Sequence, residues 1–217
     1  MNKIIITTLT CTALTSLSSF AEVKPATLFT DNMVIQQQTE AAIWGWAEPQ
    51  EKVTVSASWG DSVTVTADKS GKWQTTLATP KAKKNKPTPY SIEFKANNTV
   101  TINNVLVGEV WLASGQSNME FTIKKLKLSK EQLGETDFPE IREFKVKRTP
   151  SKSLATNVVG EWSVANETNV PGFSGTAYFF AIELHNTLGL PVGIVNSSWG
   201  GTPIESWLST SAQSQHK

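Results

Sequence analysis

Cysteine is nearly absent: Cys11 is the only one in 217 residues, and it lies in a leader-like stretch. Once that leader is gone the chain has no disulfide, no thiol nucleophile and no thiolate metal site. An excess of one charge sign is missing too. Lys and Arg number 20 against 19 Asp and Glu, so nothing here is built to neutralise a phosphate backbone, and nucleic acid is not an expected partner. Long apolar runs are also lacking. The nearest thing to one, Ile4 to Leu17, is short and interrupted by threonines, too little to span a bilayer. Tyrosine is scarce at two, whereas tryptophan reaches eight beside nine phenylalanines. Such a balance belongs either to a β core or to sugar-stacking surfaces. With 39% apolar and 18% charged residues, the chain can bury a real core in one or two domains, and disorder or fibrous repetition is ruled out.

Residues 1–21 have the pattern of an export signal. Lys3 gives a positive start, Ile4 to Leu17 an apolar stretch, and Ser19-Phe20-Ala21 the small residues of a cleavage site. Their removal takes out Lys3, Cys11 and no acid, leaving equal numbers of basic and acidic residues. A lipid anchor on Cys11 is poorly supported, because Thr8 stands where a lipobox wants leucine. The expected location is periplasmic or extracellular, with no membrane association after signal removal.

Residues 22–107 are expected to form an antiparallel β-sandwich. Short strands follow one another: Ala41 to Trp46, Val53 to Ser58, Ser62 to Ala67, Trp73 to Leu77, Tyr90 to Phe94 and Thr99 to Val105. Turn clusters such as Trp59-Gly60-Asp61 and Asp68-Lys69-Ser70-Gly71 separate them. Val53, Val55 and Ala57, then Val63, Val65 and Ala67, alternate with Ser and Thr, as strands with one buried face require. Lys81 to Pro89 is the expected solvated loop.

The texture changes in residues 108–217. Val110-Trp111-Leu112-Ala113 is a continuous apolar run, the mark of a strand buried on both faces of a parallel sheet. Ile141 to Lys147 alternates as another strand. Phe173, Ala177, Phe180, Ala181, Leu184 and Leu188 recur at helical spacing from Ser174 onward, and Gly189 stops the helix. Pro191 to Val195 then supplies a further buried strand, so this part is expected to be α/β with a helix-covered parallel sheet.

Open α/β sheets place their chemistry at the carboxyl ends of strands. Ser114-Gly115-Gln116-Ser117-Asn118-Met119 follows the first such strand, and Asn196-Ser197-Ser198-Trp199-Gly200-Gly201-Thr202 follows the last. A serine on a tight strand-to-helix turn projects its hydroxyl from the sheet. Adjacent glycines let a backbone N–H approach a ligand closely. With Met119 in the fifth place of Gly115-Gln116-Ser117-Asn118-Met119, the pattern departs from the α/β-hydrolase elbow, which wants glycine there. Asn97, Asn166 and Asn196 are glycosylation sequons, of which Asn196 falls in the candidate site.

Gly108-Glu109-Val110-Trp111-Leu112-Ala113 and Gly115-Gln116-Ser117-Asn118-Met119-Glu120 resemble the nucleophile block of the sialate O-acetylesterases, a branch of the SGNH (GDSL-like) serine hydrolases. Phe173-Ser174-Gly175-Thr176-Ala177-Tyr178 and Asn196 to Trp207 continue the resemblance, and Leu28 to Gln36 with Trp44-Gly45-Trp46 are similar to that family's opening β-domain. The resemblance implies the first part of a flavodoxin-like, three-layer SGNH domain behind the sandwich. It also implies an esterase that removes acetyl groups from sialic acids or polysaccharides. Ser117 would be the nucleophile, and the backbone N–H groups of Ser117 and of Gly200 or Gly201 the oxyanion donors. No cofactor and no metal are implied.

The family's later Gln-Gly-Glu and Asp-x-x-His blocks do not occur in this sequence. The histidines are His185, on the flank of the helical stripe and expected to be structural, and His216, near a polar end. The chain therefore holds a nucleophile without a base, which points to a C-terminally incomplete esterase whose domain a separate C-terminal chain would complete. As it stands it is expected to be inactive, since triad knockouts elsewhere cost roughly 10⁴ to 10⁶ in rate. The competing reading is a non-catalytic carbohydrate-binding or interaction module built on Trp44, Trp46, Trp59 and Trp73.

Overall fold

The computed structural model describes residues 22–151 and 153–214. Residues 1–21, on which the expected export signal and Cys11 fall, and His216 lie outside the described residues. Two sheets organise the molecule. One is three-stranded, with β1 (Lys24–Pro25), β3 (Glu40–Trp46) and β6 (Lys72–Ala78) in the order β1-β3-β6. The other is eight-stranded and mixed. Its path is β10 (Gly160–Ala165), β9 (Phe138–Val146), β11 (Val192–Asn196), β8 (Thr99–Ala113), β7 (Tyr90–Lys95), β4 (Lys52–Ala57) and β5 (Ser62–Thr66), with β2 (Val34–Gln36) paired to β8 off the path.

Alternation places Val53, Val55 and Ala57 of β4 inward and Lys52 to solvent. Ile43, Trp73 and Leu77 of the smaller sheet meet Val53, Val55, Ile92 and Phe94 of the larger in one apolar cluster. The expected boundary after residue 107 falls inside β8, a single strand of 15 residues. Its first part pairs antiparallel with β7, Leu106 to Gly108 pair parallel with β2, and Glu109 to Ala113 pair parallel with β11. The cluster ignores that boundary as well, because Phe144, Trp162 and Leu190 join it from the second half.

What lets one strand serve both regions is a bulge. Tyr90 pairs with Val105 and Ile92 with Ile102, so the register slips, and Asn104 adopts a left-handed φ of 54°. Asparagine tolerates that region better than most residues. The buried Arg142 of β9 secures the bulge: its Nη1 donates to the carbonyls of Asn104 and Met33, its Nη2 to Asn104 Oδ1 at 3.1 Å, and its Nε to the Pro139 carbonyl at 3.2 Å. Burial pulls the guanidinium pKa down to about 10, with Glu140 opposing the shift, so it stays charged at neutral pH.

The second half departs from the expected parallel sheet in three ways. β9, β11 and β8 run parallel, but β10 returns antiparallel on β9. In chain order the three parallel strands lie 2-3-1, not in the 2-1-3 arrangement of a flavodoxin-like sheet. The run Val110 to Ala113 is also not buried on both faces: Trp111 is 45% and Leu112 69% exposed. Three single-turn helices, α1 (Ser117–Glu120), α2 (Ile123–Leu126) and α3 (Lys130–Leu133), precede α4 (Gly175–Leu188), which matches expectation. Ser174 Oγ accepts from the Ala177 N–H at its start, and Gly189 ends it at φ 68°. No helix among the described residues is long and apolar enough to cross a membrane.

Replacing Arg142 by Met fills much of the same space but leaves the Asn104 and Met33 acceptors without a donor. We expect a loss of about 2–4 kcal/mol in urea denaturation. Arg142→Lys should recover only part of it, because an ammonium cannot reproduce the guanidinium fork.

Candidate active site

Three chain segments converge at the carboxyl end of β8. Ser114, Gly115 and Gln116 leave the strand and lead into the one-turn helix α1 (Ser117–Glu120). Gly115 has φ 124°, a conformation that a side chain rarely adopts. The connection is stitched to the loop after β11: the Ser197 N–H donates to the Ala113 carbonyl at 3.0 Å and the Trp199 N–H to the Gly115 carbonyl at 2.8 Å. The start of α4 closes a third side. Thr122 bridges Ser174, the Gly175 N–H donates to the Phe121 carbonyl at 2.8 Å, and Thr176 Oγ1 donates to the Asn118 carbonyl at 3.1 Å.

Ser117 and Gly200 are thereby brought together: a Cβ built on Gly200 would stand 3.7 Å from Ser117 Cα and only 2.3 Å from Glu120 Oε2. A side chain at position 200 has no room unless Glu120 moves. The Gly200 N–H is already engaged, donating to Glu120 Oε2 at 2.9 Å. Gly201, at φ 79°, presents the neighbouring N–H on an exposed turn. Ser117 is exposed, and its Oγ donates to Gln116 Oε1 at 3.4 Å.

Glu120, Arg148, Glu143 and Asn196 complete the site; Glu120 and Asn196 lie in the segments that carry the family resemblance, whereas Arg148 and Glu143 carry no local signal in the sequence. Glu120 Oε1 pairs with Arg148 Nη1 at 2.8 Å, and that guanidinium lies 5.8 Å from the Trp199 ring centroid. Glu143 is buried beneath. Its Oε1 accepts from Asn196 Nδ2 at 2.8 Å and from the Ser174 N–H at 3.2 Å, and Asn196 Oδ1 in turn holds the N–H and hydroxyl of Ser198. One carboxylate thus fixes both the end of β11 and the cap of α4. Burial pushes the Glu143 pKa up, against the opposing pull of Asn196, Ser174 and Lys145. A cavity of about 690 Å³ opens beside this network, with Glu120, Glu143, Arg148, Phe173, Asn196 and Ser198 on its walls.

His185 is far from Ser117. It lies 11 residues along from Ser174 on α4, about 16 Å of helix, and its Nδ1 is 2.7 Å from the Leu190 carbonyl. That contact requires the proton on Nδ1 and ties the ring to the αβ connection. Among the described residues no imidazole reaches the serine.

Comparison with known proteins decides what this arrangement is related to. The sialate O-acetylesterase of Pongo abelii is 32% identical over 204 residues, 85% of this chain. The chain is similar to the sialate O-acetylesterases over most of its own length. Those of Homo sapiens and Rattus norvegicus match at 31% and 32% identity over the same share of the chain. A carbohydrate acetylesterase from Xanthomonas citri superposes with a TM-score of 0.81 at 33% identity over 88% of the chain. The chain spans 37–38% of the length of these curated homologues and 43% of the solved structure. No protein-family model matches it.

The raised pKa of Glu143 sets a pH dependence. The folded state binds its proton more tightly than the unfolded chain does, so this group lowers stability as pH rises from the ordinary glutamate range through the raised pKa. Glu143→Gln keeps an acceptor for Asn196 and Ser174 and removes the titration. Melting temperatures measured from pH 4 to 8 should fall less steeply with pH in the variant than in the parent.

Proposed function

We propose that this chain carries the nucleophile and part of the oxyanion site of a carbohydrate acetylesterase, with Ser117 attacking the acetyl carbonyl of an O-acetylated sialic acid or polysaccharide. The observation that carries the reading is the hydrogen-bonded seam between the Ser117 turn and the Trp199–Gly201 turn. The homologues named as sialate O-acetylesterases and the solved carbohydrate acetylesterase support the substrate class. The architecture that goes with it is an antiparallel β-sandwich followed by the first part of an SGNH-hydrolase domain. It is supported by the shared apolar cluster of the two sheets. The leader pattern of residues 1–21 supports a periplasmic or extracellular location.

In the first step Ser117 Oγ passes its proton to a general base and bonds to the carbonyl carbon, while the carbonyl electron pair moves to oxygen. The backbone N–H groups of Ser117 and Gly201 take up that charge, and Gly200 adds a donor when Glu120 releases it. Each donor is worth about 3 kcal/mol. Collapse expels the sugar alkoxide, which takes a proton, and water then frees acetate from the acetyl-enzyme. A base is needed at the serine in both halves, and His185 is held elsewhere. A segment docking along Glu109 to Ala113 would bring it. There β8 has β11 on one side only among the described residues, and Leu112 is exposed. A separate C-terminal chain is the proposed source.

The test is hydrolysis of 4-nitrophenyl acetate and of an O-acetylated polysaccharide by the 217-residue chain, alone and together with whatever polypeptide the adjoining coding sequence supplies. We expect little turnover alone, a gain of about 10⁴-fold or more when a base is supplied, and loss of that gain in Ser117→Ala. Full turnover by the 217 residues alone, or activity indifferent to Ser117→Ala, would overturn the reading.

A further inference from the structure

The β-half has a cavity of its own, about 560 Å³, on the outer face of the smaller sheet. Strand alternation builds its floor. Ile43 and Gly45 of β3 are buried, so Ala42, Trp44 and Trp46 face the other way, and register sets Gln74 beside Trp44 and Lys72 beside Trp46. The two tryptophans stand two residues apart on one face, about 7 Å along the strand. Phe29 meets the Trp44 ring edge to face at 4.7 Å and fixes its tilt. Thr156 supplies a wall from the β9–β10 connection. That wall is anchored, because Asn157 Oδ1 accepts the Thr27 N–H and Asn157 Nδ2 donates to Thr27 Oγ1, both at 3.0 Å.

The other two tryptophans of this half are committed elsewhere. Trp73 is 3% exposed and faces Phe94 in the core. Trp59 donates its Nε1–H to the Ala78 carbonyl at 2.9 Å and meets Tyr90 edge to face. Trp73 also reaches the wall of this cavity but is almost wholly buried, so Trp44 and Trp46 supply its accessible indole surface.

We propose that the Trp44–Trp46 face is a binding subsite for a neutral pyranose chain, independent of the esterase chemistry at Ser117. The apolar C–H face of a pyranose ring stacks on indole, while its equatorial hydroxyls need polar partners around the rim. Gln74 provides an amide, Lys72 an ammonium, and Asp68 a carboxylate, each exposed and lining the cavity. The Ser70 hydroxyl and the backbone N–H groups of Lys72 and Ser70 hold the Asp68 pKa below the usual carboxylate range, so it remains an acceptor. Lys72 and Asp68 offset each other, which favours an uncharged ligand over a polyanion.

Binding of xylohexaose and cellohexaose, which carry no acetyl groups and give Ser117 nothing to cleave, tests the proposal by titration calorimetry on the full chain. We expect at least one to bind. Trp46→Ala should weaken it about tenfold or more, as should Ala42→Arg, which fills the cavity from an exposed position and spares the core. Trp59→Phe, outside the cavity, should leave binding unchanged. The proposal is overturned if neither sugar binds natively folded protein, if Ala42→Arg and Trp46→Ala bind as the parent does, or if an acidic sialyl-oligosaccharide binds this face more tightly than either neutral chain.

Discussion

A buried guanidinium held by no salt bridge among the described residues is an expensive thing to fold, and in this molecule it meets mainly backbone oxygens instead. Arg142 gives its protons to the carbonyls of Asn104, Met33 and Pro139 and to the Asn104 side chain. The ion is desolvated, yet each of its three nitrogens finds an acceptor, and Asn104, in a bulge that would otherwise bury an unpaired carbonyl, provides two of them. The two defects cancel. Because the bulge is held, β8 can leave the antiparallel region at one angle and enter the parallel region at another, and the turn bearing Ser117 is delivered where the loop after β11 waits for it.

Under the site the polar design is similar. Glu143 is a carboxylate that burial penalises, met by the amide of Asn196 and the N–H of Ser174. Its reach spans three elements, β9, β11 and the cap of α4. Above it, Glu120 holds Arg148 with one oxygen and the Gly200 N–H with the other. An amide that could meet a developing oxyanion therefore rests on an anion already, and substrate must compete with it.

Much of this was legible in the sequence where a local period dictated structure. Val53, Val55 and Ala57 announce a strand with one buried face, and Ser174 with Gly189 brackets α4, because caps and alternation act within a few residues. The Ser117 and Gly200 turns could be placed after strands for the same reason. The unity of β8 could not. Thr99 to Val105 and Val110 to Ala113 read as two strands either side of a boundary, and it takes Arg142, 38 residues on from Asn104, to hold the bulge that lets them be one. Arg142 and Glu143 themselves sit in an alternating segment as adjacent charges, and both are buried. Continuous apolar character misled at Leu112, where the run has β-pairing on one side and solvent on the other.

The sharing of β8 between two pairing partners also orders events in time. Residues Thr99 to Val105 can zip onto β7 as soon as both have left the ribosome, since the two strands are neighbours in sequence. Ala113 finds its partner only in Asn196, 83 residues later, which at ordinary synthesis speeds is roughly 4–17 seconds. During that interval Trp111 and Leu112 stand at the end of an already folded strand with nothing beside them. The stretch that leads into Ser117 is thus in need of chaperone cover while the protein is being made.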